Sequence, residues 1–77
     1  MRAKMKIESI QCREGCEILK MNAVCKNGAY PEDGSDEDNT FAKFTPTASL
    51  EIHITNPDLL GKFNPGEKYY LDFTKVE

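Results

Sequence analysis

Charged and apolar residues alternate from the start of the chain. Arg2, Lys4, Lys6 and Glu8 take one parity; Ala3, Met5, Ile7 and Ser9 take the other. A period of two with one charged side predicts a half-buried strand. Ile10 then falls out of phase, which predicts a bulge or a strand end near Ser9. The next residues, QCREGC at 11–16, predict a turn centred on Arg13, Glu14 and Gly15, of which Gly15 takes positive φ without steric cost. Residues 17–26, EILKMNAVCK, fit two periods. Leu19, Met21, Ala23 and Cys25 alternate as in a strand, while Ile18, Met21 and Cys25 also lie at helical spacing. A strand is favoured, because the segment follows a tight turn and can pair with residues 3–10 as a hairpin.

Farther along, Phe41 to Phe44 predicts another extended piece, interrupted by Thr45-Pro46 because Pro cannot donate to a ladder. ASLEIHIT at 48–55 is the cleanest alternation, with Leu50, Ile52 and Ile54 on one side and Glu51 and His53 on the other. NPDLLGKF at 56–63 carries helix-start chemistry: Asn56 as cap, Pro57 in the first position, Asp58 at the positive end of the dipole, and Gly61 to close. Pro65-Gly66 has the order of a type II turn. The last strand is YYLDFTKV, with Tyr69, Leu71 and Phe73 on one face. The expected architecture is mainly β. It is a small five-stranded antiparallel barrel or sandwich with one short helical turn before the last strand, an arrangement like the oligonucleotide/oligosaccharide-binding barrel.

Seventy-seven residues fit one domain, with an acidic loop at about 27–40. A domain of this size buries only about 60% of its unfolded surface, so its core is thin and a partner chain is an attractive support. No apolar run approaches the roughly 20 residues of a membrane helix. The opening MRAKMKIESI is basic but lacks the apolar stretch of a leader, so the expectation is a cytoplasmic protein without membrane contact. Three cysteines, Cys12, Cys16 and Cys25, are an odd number for a disulfide framework and are expected as free core or turn-edge thiols.

Charge changes the picture in one place. Glu32, Asp33, Asp36, Glu37 and Asp38 crowd into YPEDGSDEDNTF, residues 30–41. Without them the chain holds ten basic and eight acidic residues, so the net charge of −3 is local. An acid-coated mimic of nucleic acid and a strongly basic nucleic-acid binder are both disfavoured. The segment is not an EF-hand loop either: Gly34 follows Asp33 directly, and no closing Glu stands at the required offset. Three readings remain for it: a solvated connection, a contact for a basic partner surface together with Tyr30 and Tyr70, and, as the least favoured, a divalent ion shared by Asp36 and Asp38 with Glu32 or Asn39.

Other chemistry is sparse. Cys12, Cys16, Cys25 and His53 lack the paired spacing of a zinc site. No G-x-S-x-G, H-E-x-x-H or phosphate-cradling glycine loop occurs. No catalytic residue, metal ligand or cofactor is therefore expected, and the chain reads as non-enzymatic. Arg2, Lys4 and Lys6 line one strand face and are the residues that would touch a ligand or nucleic acid; three cations make a weak footprint for the latter.

The C-terminal stretch FAKFTPTASLEIHITNPDLLGKFNPGEKYYLDFT resembles a group of small uncharacterised proteins of tailed bacteriophages and prophages. Their pattern, F-x-K-x-T-P, then N-P, then F-x-P-G-x-x-Y-Y-L-D-F, is matched by Phe41, Lys43, Thr45, Pro46, Leu50, Asn56, Pro57, Phe63, Pro65, Gly66, Tyr69, Tyr70, Leu71, Asp72 and Phe73. The resemblance covers residues 41–74 and supplies no catalytic residues. It implies a viral protein acting in a bacterial cytoplasm, an accessory factor that binds a host or viral protein. A nucleotide- or small-molecule-sequestering protein of counter-defence and a minor virion component are the alternatives, and homo-oligomerisation fits the thin core.

Overall fold

The computed structural model describes residues 1–77. Four strands form one antiparallel sheet: β1 (Arg2–Arg13), β2 (Cys16–Ala23), β3 (Ser49–Ile54) and β4 (Lys68–Asp72), in the order β3-β2-β1-β4. β1 and β2 form the expected hairpin, with Arg13 opposite Cys16 across Glu14-Gly15 and Gly15 at φ 72°. Of the two causes expected for the out-of-phase Ile10, the bulge forms and the strand does not end there. The register shifts between Ile7 and Ser9, so Glu8 is the extra residue of a bulge and Ile10 returns to the apolar side opposite Leu19. The ambiguous 17–26 stretch is a strand to Ala23; Val24 adds one more bond, its amide donating to the Lys4 carbonyl.

Cross-strand register fixes two unlike faces, since partners in a ladder share a side. Ala3 with Leu71, Met5 with Tyr69, Ile7 with Met21, Leu19 with Ile52, and Met21 with Leu50 make an apolar face. Arg2 with Asp72, Lys4 with Tyr70, Lys6 with Lys68, and Lys20 with Glu51 make a charged one. The core is six buried residues on the apolar face: Ala3, Met5, Ile7, Leu19, Met21 and Ile54. Phe41, Leu60 and Phe63 from the loops lean against it. Glu17, although an acid, is buried on this face; its carboxylate accepts the Gly61 amide at 2.6 Å and so ties the 56–63 loop to the end of the sheet.

Three expectations are corrected. The fifth strand does not form. Residues 41–44 turn instead, with Phe44 at φ 59° and its amide donating to the Gly34 carbonyl at 2.7 Å. Without that strand nothing joins β3 to β4, so both remain edges and the sheet is open rather than a barrel. The helical turn is also absent. Asn56 does cap, its Oδ1 accepting the Asp58 amide at 3.0 Å, but only i to i+3 bonds follow, from Leu59 and Lys62. A segment this short cannot complete the costly helical nucleus, and Glu17 captures the Gly61 amide from outside. By contrast Pro65-Gly66 is the turn its sequence predicts: Glu67 N donates to Asn64 O, and Gly66 sits at φ 92°. No helix is long and apolar enough to cross a membrane.

Candidate functional site

Where β2 leaves the sheet after Ala23, the acidic segment takes its place beside the start of β1. The Thr40 amide donates to the Arg2 carbonyl at 2.9 Å, and the Arg2 amide donates to Thr40 Oγ1 at 2.8 Å. Asn39 completes the junction. Its Oδ1 accepts the Lys4 amide at 2.9 Å, while its Nδ2 donates to the Val24 carbonyl at 2.8 Å and to Asp36 Oδ2 at 3.2 Å. A buried amide side chain thus satisfies backbone groups of β1 and of the outgoing β2 chain at once, which is how irregular chain can be buried. Asp36 faces inward as well and accepts the Asp38 amide at 3.0 Å through Oδ1.

Side chains lock the same junction from the charged face. The Tyr70 hydroxyl donates to Asp38 Oδ1 at 2.7 Å, and Lys4 Nζ lies 3.5 Å from Asp38 Oδ2. Arg2 stacks on Tyr70, its Cζ 4.3 Å from the ring centroid, and forks onto Asp72 through Nε at 2.7 Å and an Nη at 3.3 Å. The Tyr70 hydroxyl, helped by Lys4 and Arg2, holds the Asp38 carboxyl below its ordinary range. Asp38 in turn raises the Tyr70 phenol. The Arg2 guanidinium lowers Asp72 and is itself raised by it. Asp33 is lowered by the Ser35 amide, which donates to its Oδ1 at 3.0 Å.

The five acids are thereby divided. Asp36 and Asp38 hold the segment in place, and Asp33 closes a local turn. Glu32 and Glu37 are exposed and make no hydrogen bond or ion pair within the chain. Tyr30 is half-buried; its hydroxyl accepts the Lys26 amide at 3.1 Å, and its ring lies 6.2 Å from that of Phe44. Tyr70 is engaged with Arg2 and Asp38. Of the three basic candidates, Arg2 and Lys4 are paired, while Lys6 stands opposite Lys68 with no acid between them. Beside the acidic segment lies a shallow open cleft of about 560 Å³, with Lys26 and Lys43 among its walls together with Asp36 and Glu37.

Elsewhere the chemistry does not converge. His53 Nε2 lies 3.0 Å from Glu51 Oε2 on the charged face, and both are exposed. Cys12, exposed, and Cys16, half-buried, flank the β1–β2 turn as turn-edge thiols, while Cys25 is exposed and none of the three is in the core. No three His, Cys, Asp or Glu side chains gather as a metal-holding group. Sequence reasoning missed Asn39 and Glu17. Both are buried polar residues whose decisive partners, Val24 and Lys4 for Asn39 and Gly61 for Glu17, lie 15–44 positions away, and neither has a local pattern that marks it. Comparison with protein families, curated proteins and solved structures finds no match.

Proposed function

We propose that this chain is a non-enzymatic accessory protein of phage type that binds a basic surface on a host or viral protein, with Glu32, Asp33 and Glu37 as its contact acids. One observation carries the reading. The acidic segment is clamped to β1 by Asn39 and Thr40 and to β1 and β4 by Asp38, yet Glu32 and Glu37 stay without partners inside the chain. Acids held on an ordered segment lose little conformational freedom on binding, which favours affinity, and their charge steers approach by a cationic partner. A tagged chain incubated with nuclease-treated bacterial lysate should retain one stoichiometric protein that is released by moderate salt. The triple variant Glu32→Gln, Asp33→Asn, Glu37→Gln should lose it. Equal capture by the variant, or an empty bait, would sink the proposal.

A second reading, sequestration of a nucleotide or small anion, draws on the open cleft with Lys26 and Lys43. It expects melting temperature to rise with ligand concentration, as mass action requires. A flat response across a nucleotide panel would exclude that panel.

A further inference from the structure

A sheet with one apolar face needs a second layer. Here the second layer is incomplete. The Cα envelope measures 48 × 34 × 15 Å, the thickness of one sheet with its loops. The radius of gyration is 14.4 Å, against about 11.5 Å for a compact domain of this length. The accessible surface is 5682 Å², against about 4,700 Å² for a finished monomer of 8.7 kDa. The excess, roughly 1,000 Å², compares with the about 800 Å² that each partner contributes to a standard stable interface.

Part of that excess lies on the apolar face. A groove of about 210 Å³ runs over it, lined wholly by apolar and aromatic residues, among them Leu19, Leu50, Ile52, Phe63, Tyr69 and Leu71. Ile52 is 44% exposed, Tyr69 38% and, at the end of β4, Phe73 59%. Phe63 and Tyr69 meet edge to face at 5.7 Å and form a wall of the groove. Apart from Glu17, which is buried against the Gly61 amide, the strand charges in this region sit on the other side of the sheet. By register Lys4, Lys6, Lys20, Glu51, Lys68 and Asp72 all point away from this groove. Asp38, the acid bound to Tyr70 and Lys4, follows them to the charged side.

We propose that this apolar face is a dimer interface whose occupant is the same face of a second copy of the chain. Two copies related by a two-fold axis would stack face to face about 10 Å apart, the spacing of packed sheets, as the two layers of a sandwich. Three features favour a second copy. The whole-chain excess area is of the size that one side of a stable dimer buries, and part of it lies on this face. The groove exposes no strand charge: Glu17, the one strand acid on this face, is already buried with its carboxylate on the Gly61 amide, so like meets like with no ion newly buried unpaired. The net charge of −3, concentrated in the acidic segment, stays at the outside of such a pair. The proposal uses a different surface from the acidic contact acids, so either can fail while the other stands.

The test is the mass of the purified protein by sedimentation and light scattering across roughly 1–300 µM. The expected result is a particle of twice 8.7 kDa that dissociates on dilution. Ile52→Lys should raise the dissociation constant roughly a hundredfold or more, as setting a charge in place of an apolar anchor of the groove does. Because Ile52 is already part-exposed in the single chain, its Lys variant should keep the circular dichroism of the wild type. Should it not fold, Phe73→Lys provides the second reading of the same face. Lys6→Ser, on the charged face, should leave the dimer intact. A single-chain mass at every concentration overturns the proposal, including the case in which the face takes some other protein. So does a dimer unchanged by both face variants, the result that edge-to-edge pairing through β3 or β4 would give.

Discussion

Asn39→Ala tests the junction between the acidic segment and the sheet. The side chain is 1% exposed and makes three hydrogen bonds, to Lys4 N, Val24 O and Asp36 Oδ2. Each contributes about 1 kcal/mol net, and a buried backbone group left without a partner costs about 1–3 kcal/mol. The expected loss is therefore about 3 kcal/mol, with room for more if water does not enter the vacated site. A domain of this length has about 4–12 kcal/mol in all. The loss corresponds to a fall of about 12–24 °C in melting temperature. Thermal and urea unfolding followed by circular dichroism would measure it. Amide exchange supplies a local check: the amides of Lys4 and Thr40 should lose protection before the rest of β1. Asn39→Asp separates hydrogen bonding from shape. It keeps the acceptor for Lys4 N, removes the donor to Val24 O, and sets a carboxylate against Asp36. At pH 7 it should be worse than Ala, and the gap should narrow toward pH 3 as a shared proton relieves the repulsion. A melting point for Asn39→Ala within a few degrees of the wild type would refute the claim that this side chain holds the junction.

The remaining predictions concern charge, turns and the loop tie. Asp33, Asp38, Glu51, Glu67 and Asp72 all have carboxyls lowered by partners in the fold. Their contribution is present above the unfolded carboxylate range and is lost as pH falls through the lowered values, so the urea midpoint should drop below about pH 4; a midpoint constant from pH 5 to the acid limit would contradict this. Tyr70→Phe should move the Asp38 titration, followed by NMR, back toward its ordinary value, because the Tyr70 hydroxyl is the main cause of the shift; an unmoved titration would remove that assignment. Gly34→Ala should cost several times what Gly28→Ala costs. Both need positive φ, but only at Gly34 would a Cβ sit 2.5 Å from the Phe44 ring. Equal losses would place the cost in the backbone alone. Glu17→Ala should cost about 1.5–3 kcal/mol by releasing the Gly61 amide, with Glu17→Gln nearer to wild type; a neutral Glu17→Ala would show that the loop is held by its apolar contacts instead.

Much of the sheet was legible because strand pattern is local. The alternation of Ala3, Met5 and Ile7 against Arg2, Lys4 and Lys6 marked the faces of β1, and the misplaced Ile10 marked an interruption near Ser9 that the register resolves as a bulge rather than a strand end. Glu14-Gly15 and Pro65-Gly66 marked their turns through φ alone. The site was less legible. Five acids between positions 32 and 38 look alike in sequence, yet Asp36 and Asp38 hold the segment while Glu32 and Glu37 face solvent. What separates them is the position of each side chain relative to Lys4, Tyr70 and Val24, far away in the chain.

The sequence by itself determined a β protein with one apolar and one charged sheet face, because a period of two sorts side chains without reference to the rest of the molecule. Only the tertiary structure decided that 41–44 turns rather than extends, that the sheet stays open, and that Asn39 seals the acidic segment against β1. The physical reason is common to all three. Each outcome depends on which distant backbone groups find a hydrogen-bond partner, Gly34 with Phe44 or Lys4 with Asn39, and no local pattern encodes that choice.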